Sequence, residues 1–273
     1  MNRTRHPLSV LLLYGYALVC CAPFVWMLLT AFKSRLEATA SPPTLFFTPT
    51  LENARWTYNG QAIAPLLLNS LFIASSTVAL TLILGIPAAY VFARYRTTLA
   101  RNLFLFVLST RIAPPIALSL PFFVLFTKLG ITGTHAAIIL LHCVLNLSFV
   151  IWLLESFFSD VPEEVEMSAQ VDGRTRLGAV IFVVLPLALP GIAAAGFFTF
   201  LFSWNEYMMA SLMSSPLSRP ITPALPAFLA QATTQWGSLC FVALVASLPV
   251  MVLAMLLRKY LAAVFTYGFV RGR

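Results

Sequence analysis

Three stretches of the sequence gather groups able to do chemistry, and none of them is a catalytic set. Val161–Pro190 carries Glu163, Glu164 and Glu166, then Asp172-Gly173. Carboxylates crowded behind Pro162 complement the positive end of a helix, and Asp-Gly stops it, which gives a short surface helix suited to docking a partner. A second stretch sets Arg111 beside Pro114-Pro115 inside an apolar run. Two prolines remove two backbone donors, so either the freed carbonyls and the guanidinium line a polar path, or Arg111 reaches a carbonyl at a structural kink. The third is Trp204-Asn205-Glu206. That trio could stack on a sugar ring and bond its hydroxyls, or anchor a helix end at a membrane interface. Asn69 and Asn146 are lesser candidates that could equally bond between helices.

Other chemistries lack their signatures. No GxxxxGK[ST], HExxH or GxSxG pattern occurs, and His6, His135 and His142 are scattered. His142 reads as a helix–helix hydrogen-bond partner. Cys20, Cys21, Cys143 and Cys240 all lie in apolar runs without metal or disulfide spacing. No catalytic residue, metal site or cofactor is expected in this chain.

The elements that must position these groups are membrane helices. The 273 residues are 60% hydrophobic and only 10% charged, with a mean hydropathy of +0.89. A soluble domain normally devotes about a quarter of its residues to charge. The apolar runs suit a bilayer core about 30 Å thick, and they lack the alternation of barrel strands. An all-α polytopic membrane protein of about six spans follows. The spans fall near Leu8–Phe32, Pro65–Phe92, Leu103–Thr127, Ala136–Phe158, Leu185–Met213 and Ser238–Leu261. The chain reads as one permease domain over 1–273, with an N-terminal anchor at 1–33 and a five-span core at 65–262 that includes a loop at 159–185. The anchor is too long for a signal sequence and no clean cleavage site follows it.

Six spans put both termini on one side. Placing them in the cytoplasm leaves Arg3, Arg5, Arg94, Arg96, Arg101, Arg174, Arg176, Arg258, Lys259, Arg271 and Arg273 inside. Lys33, Arg35, Arg55, Lys128 and Arg219 remain outside, so eleven cations stand against five. The net charge of +8 is thereby a topological signal rather than a footprint for nucleic acid. The loop at 159–185 becomes cytoplasmic, and Lys33–Ala64 and Ser214–Gly237 become external.

Val161–Pro190 resembles the EAA loop of ABC-importer permeases, whose pattern is E-A-A, three residues, Gly, nine residues, then I-x-L-P. Gly173 takes the glycine position, and Val183, Leu185 and Pro186 take the last three. Ala169 is kept, whereas Met167 and Ser168 replace the Glu and first Ala, with the acid Glu166 one residue earlier. The departure bears on the ion pair that the missing Glu would make. Further motifs extend the likeness over nearly the whole chain: PFVWMLLTAFKS, LLNSLFIA, APPIALSLPFFVLFTKLGI, FTFLFSWNEY and RKY…GFVRGR. Together they are similar to the sugar-importing, maltose-G-like branch with the type I importer fold.

The resemblance implies a subunit of an ATP-driven importer in the bacterial inner membrane, surrounded by lipid. It implies a second related permease, two copies of a cytoplasmic ATPase that bind ATP and Mg, and an external solute-binding protein. The loop helix, about Glu163–Asp172, would sit in a cleft of the ATPase, with Glu163, Glu164, Glu166, Ala169, Asp172, Gly173, Leu185 and Pro186 forming the coupling segment. The cargo would be a sugar or polyol. Alternatives are another solute such as glycerol phosphate, or an ion-coupled secondary transporter, which would need more membrane-embedded acids.

Overall fold

The computed structural model describes residues 7–60, 63–95, 97–228 and 235–270. Arg3, Arg5, Arg96, Arg271 and Arg273 of the charge asymmetry, and His6, lie outside them. Among the described residues every regular element is helical, and a lone bridge joins Gly133 to Ser214.

The helices run α1 Pro7–Ala31, α2 Arg35–Ala38, α3 Glu52–Gly60, α4 Ile63–Arg94, α5 Thr98–Ser109, α6 Pro115–Lys128 and α7 His135–Asp160. After these come α8 Glu163–Val171, α9 Arg176–Ala179, a π-helical turn Val180–Val184, α10 Leu185–Leu187, α11 Leu189–Asn205, α12 Met208–Met213, α13 Ile221–Ala224 and α14 Trp236–Val270. Helices α1, α4, α7 and α14 are each long and apolar enough to cross a bilayer. Two bent pairs, α5 into α6 and the α9–α10 run into α11, bring the number to as many as six when each pair is counted as one span.

Both bends lie at prolines. Ala113 and Pro114 are extended, Pro115 opens α6, and the two limbs meet at 97°. Proline locks φ and supplies no N–H, so the ladder cannot continue through the pair. The second bend, 72° at Ala188, sits between Pro186 and Pro190. It divides a span expected to run without a break from Leu185 to Met213, and a further break at Glu206-Tyr207 separates α11 from α12. Elsewhere the helix starts are capped from the sequence, with Thr97, Thr134 and Thr175 accepting from the amides three residues on.

The chain divides into two units, Met1–Pro65 with Ala224–Leu248, and Leu66–Pro223 with Pro249–Arg273. In the first, Asn53 Nδ2 donates to the carbonyls of Ala31 and Lys33, tying α3 to the end of α1. The Lys33 side chain is 2% exposed, its ammonium 4.6 Å from the Trp26 ring and 5.3 Å from Phe47. In the second unit α7 is the central helix. One cluster gathers Val150, Ile151, Leu154 and Phe158 with Ala89, Ala93, Val184 and Ala195. Another joins Ile138 and Leu141 to Ile73, Phe126, Met209 and Met213. The small-residue stretch at Gly191–Gly196 brings α11 close to α7, and a Cβ on Gly191 would lie 2.3 Å from the Phe157 ring.

Candidate functional site

Helix α8 is built as its sequence dictates. Pro162 precedes a first turn holding Glu163, Glu164 and Glu166. At the other end Asp172 is the C-cap and Gly173 adopts φ +88°. The Arg174 amide returns to the Ala169 carbonyl and the Gly173 amide to that of Gln170, the paired bonds of a Schellman stop. A Cβ on Gly173 would touch nothing within 4 Å, so the glycine is there for its backbone angle and not for space.

The helix has two distinct faces. Glu163, Glu164, Met167, Val171 and Asp172 are exposed, Met167 at 58% and Val171 at 88%. Glu166 and Ala169 point inward and are buried. Glu166 Oε2 lies 3.1 Å from Arg94 Nε with each side chain 7% exposed, and the Tyr90 hydroxyl donates to Oε1. Arg94 Nη1 donates to the Phe158 carbonyl at 2.9 Å. One carboxylate thus fastens α8 to the end of α4, and the same arginine fastens α4 to the end of α7. Of the three acids expected in the coupling segment, Glu166 is the one that turns inward. Its charge is met inside the chain, because a helix that turns Glu164 and Val171 outward brings position 166, about 140–160° away round the helix, inward.

Behind the exposed face, a cleft of about 270 Å³ is lined by Arg94, Glu163, Glu166, Met167, Gln170 and Arg176. Arg174 and Arg176 are held over the rings of Phe182 and Tyr95 at 4.8 and 5.4 Å. Leu185 is half-buried and Pro186 exposed, both in the segment leading to the 72° bend.

A second polar cleft, about 290 Å³, opens where the α5–α6 break meets α7 and α11. Arg111, Pro115, Asn146, Ser148, Phe202 and Glu206 are among its lining residues. The Arg111 guanidinium lies 5.1 and 5.3 Å from the rings of Phe149 and Phe202. Its Nη1 is 3.4 Å from the Leu145 carbonyl, so Arg111 reaches a carbonyl at the kink while it also lines this cleft.

A model of the family "binding-protein-dependent transport system inner membrane component" matches residues 81–266, which takes in both clefts. The chain belongs to this family. The permease is 30% identical to the sulfoquinovosyl glycerol transport system permease of Agrobacterium fabrum, over 92% of this chain and 88% of that one. It is 27% identical to the trehalose/maltose transport system permease of Thermococcus litoralis, covering 96% and 97% of the two chains. A crystal structure of a bacterial ABC transporter that imports alginate has a chain of the same fold, with TM-score 0.76, 20% identity and coverage of 93% and 95%. The permease is therefore an inner-membrane transport subunit, which leaves no place for the ion-coupled alternative.

Trp204-Asn205-Glu206 does not form an open stacking face in this structure of the permease. Trp204 is 5% exposed and stacked on Phe200 with ring centroids 5.4 Å apart, so no face is left for a sugar. Asn205 Nδ2 turns back to the Leu201 carbonyl. Glu206 alone reaches a cleft, and its oxygens accept from the Met209 and Ala210 amides at 2.9 and 2.8 Å, capping α12. Asn146 donates to the His142 carbonyl one turn back, and His142 Nδ1 pairs with Ser203 Oγ at 2.8 Å, the helix–helix bond expected of it. Tyr90 and Arg94 escaped sequence reading. Their signal was available: a Tyr and an Arg four apart share one helix face, here at the polar end of an apolar helix.

Proposed function

We propose that this chain is the permease subunit of an ATP-driven importer that carries a sugar or polyol inward across the inner membrane. The observation that supports this most is the two-faced α8, with Met167 and Val171 bare beside Glu163 and Glu164 while Glu166 and Ala169 hold it down. An isolated surface helix has no reason to expose Val171 at 88%, whereas a docking helix does. The occupant is a separate cytoplasmic ATPase, two copies of which bind ATP and Mg. A second related permease completes the path, and an external solute-binding protein delivers the cargo. In this reading both termini are cytoplasmic and residues 214–237 face the binding protein. Closure of the ATPase dimer moves the spans towards the outward-facing state, and hydrolysis resets them.

The sugar class is supported by the glycosides and disaccharides for which the relatives are named. A second reading, a sugar or polyol bearing an acidic group such as glycerol phosphate, is favoured by Arg111. Among the described residues no carboxylate pairs with it, and Glu206 in the same cleft is already held by two amides. The test is mild extraction of the tagged chain from its native membrane. Recovery of an ATPase and a second permease, with ATP hydrolysis stimulated by binding protein charged with candidate sugars, is the expected result. A chain that comes out alone even after crosslinking sinks the docking reading of α8.

A further inference from the structure

The Glu166–Arg94 pair has a counterpart at the far end of the same helix. Asn69 Nδ2 donates to the carbonyls of Leu217 and Arg219 at 2.9 and 3.0 Å, and its Oδ1 lies 2.8 Å from His135 Nε2. Asn69 therefore fastens α4 to the loop after α12 and to the start of α7. The same loop is fixed to the turn before α7, where Ser215 and Ser218 both donate to the Gly133 carbonyl. Asn69 and Arg94 lie on one helix, and the 25 residues separating them span roughly 38 Å at 1.5 Å each.

Backward along the chain only Val161-Pro162 separates α8 from α7, whereas the onward covalent route from α8 to that loop is much less direct. It passes the π-helical turn at Val180–Val184, bends 72° at Ala188 and breaks again after Asn205. Each irregularity lets a push be absorbed by local rearrangement. In contrast α4 runs as one helix from Ile63 to Arg94, continuing through Pro87, and α7 as one helix from His135 to Asp160. Arg94 joins the two at one end through the Phe158 carbonyl, and Asn69 joins them at the other through His135.

Taking α8 as the docking helix, as proposed above, we infer that α4 and α7 are the strut that carries its displacement to residues 214–219. Glu166 and Asn69 are the positioning residues at the two ends. Both act through hydrogen bonds internal to the chain, so neither is needed for the ATPase to dock. The external loop responds to the ATPase through these clamps, and through them Leu217, 88% exposed on that loop, senses the nucleotide state.

The complete importer in lipid nanodiscs provides the test. With Cys20, Cys21, Cys143 and Cys240 replaced by alanine, Leu217→Cys reports loop accessibility through its reaction rate with a membrane-impermeant maleimide. In this parent, ATP, Mg²⁺ and orthovanadate should change that rate several-fold. Glu166→Gln and Asn69→Ala should each reduce the change at least twofold while the ATPase copurifies as before. The conservative Glu166→Asp should recover part of it, and Glu166→Gln with Asn69→Ala together should be no worse than either alone. A full response in Glu166→Gln or Asn69→Ala overturns the strut. So does loss of the ATPase from Glu166→Gln, since the clamp would then shape the docking helix instead of passing on its motion. Failure of the parent to recover any ATPase is a different result, and it removes the docking reading itself.

Discussion

Oε2 of Glu206 lies 3.4 Å from Nε2 of His142, so a carboxylate at the break after α11 meets a ring buried in the middle of α7. Hydrogen-bond geometry is not met between them, and the carboxylate's own bonds go to the two amides of α12. Glu206 therefore holds the break in place while presenting one edge to the cleft.

Glu206→Ala should leave two amides without an acceptor and cost about 2 kcal/mol, whereas Glu206→Gln keeps one acceptor and should lose less. Thermal unfolding of the purified permease in detergent should rank wild type above Gln and Gln above Ala. Equal melting of Ala and wild type would show that the cap is idle.

The end of α8 calls for a different experiment. Gly173 sits at φ +88° with open space around its Cα, so the penalty for a side chain is set by backbone conformation alone. That penalty is about 1 kcal/mol for an ordinary residue, least for Asn and greatest for a β-branched one. Uptake should fall in the order Gly, Asn, Ala, Val, with the membrane level of the chain unchanged on immunoblots. A Val variant that transports normally would remove Gly173 from the coupling segment.

The break at Pro114-Pro115, the cap at Gly173 and the all-helical membrane architecture were legible, because each follows from one residue's geometry or from the length of an apolar run. The directions of side chains were not. Trp204 lies on an α11 that is apolar on every side, so nothing in its sequence tells the buried face from the exposed one. The partners of Glu166 were hidden for a related reason: three acids in one turn look alike, and only Tyr90 and Arg94, more than 70 residues away, single one of them out.

Close packing of α11 on α7 yields a paired prediction. Gly191→Ala places a methyl within 2.3 Å of the Phe157 ring, which must shift or distort the helix contact. Overpacking of this kind costs about 1–3 kcal/mol. Phe157→Leu should relieve much of it, so the double variant should melt above Gly191→Ala alone. Additive losses would mean that the two residues do not share the contact.

Met167 occupies the position where the family pattern has Glu, and at 58% exposure it touches little within the chain. Met167→Glu should therefore alter stability by no more than about 0.5 kcal/mol. Any effect on ATPase recovery then belongs to the docked partner. Tighter recovery at low salt would reveal a cation waiting in the partner's cleft, and a loss would mean that this ATPase docks through apolar contact at that point. We expect the loss, because Val171, one turn further along α8, is also bare at 88%.

In the proposed function Arg111 meets the cargo. Its guanidinium is held by the rings of Phe149 and Phe202 and by the Leu145 carbonyl, so Arg111→Gln forfeits roughly 1 kcal/mol of cation–π attraction while the cleft stays open. Melting should hardly move and the ATPase should still copurify, yet transport should fall. Arg111→Lys then separates the two kinds of cargo. An ammonium keeps the charge but loses the planar fork that bonds two acceptors at once. For an acidic cargo, Lys should retain most of the transport that Gln loses, and the difference should shrink as salt is raised. For a neutral sugar, Lys and Gln should be equally impaired at every salt concentration, since what each has lost is the fork. Transport rates for the three proteins at two ionic strengths decide between these outcomes, and unimpaired transport by Gln would take Arg111 out of the path.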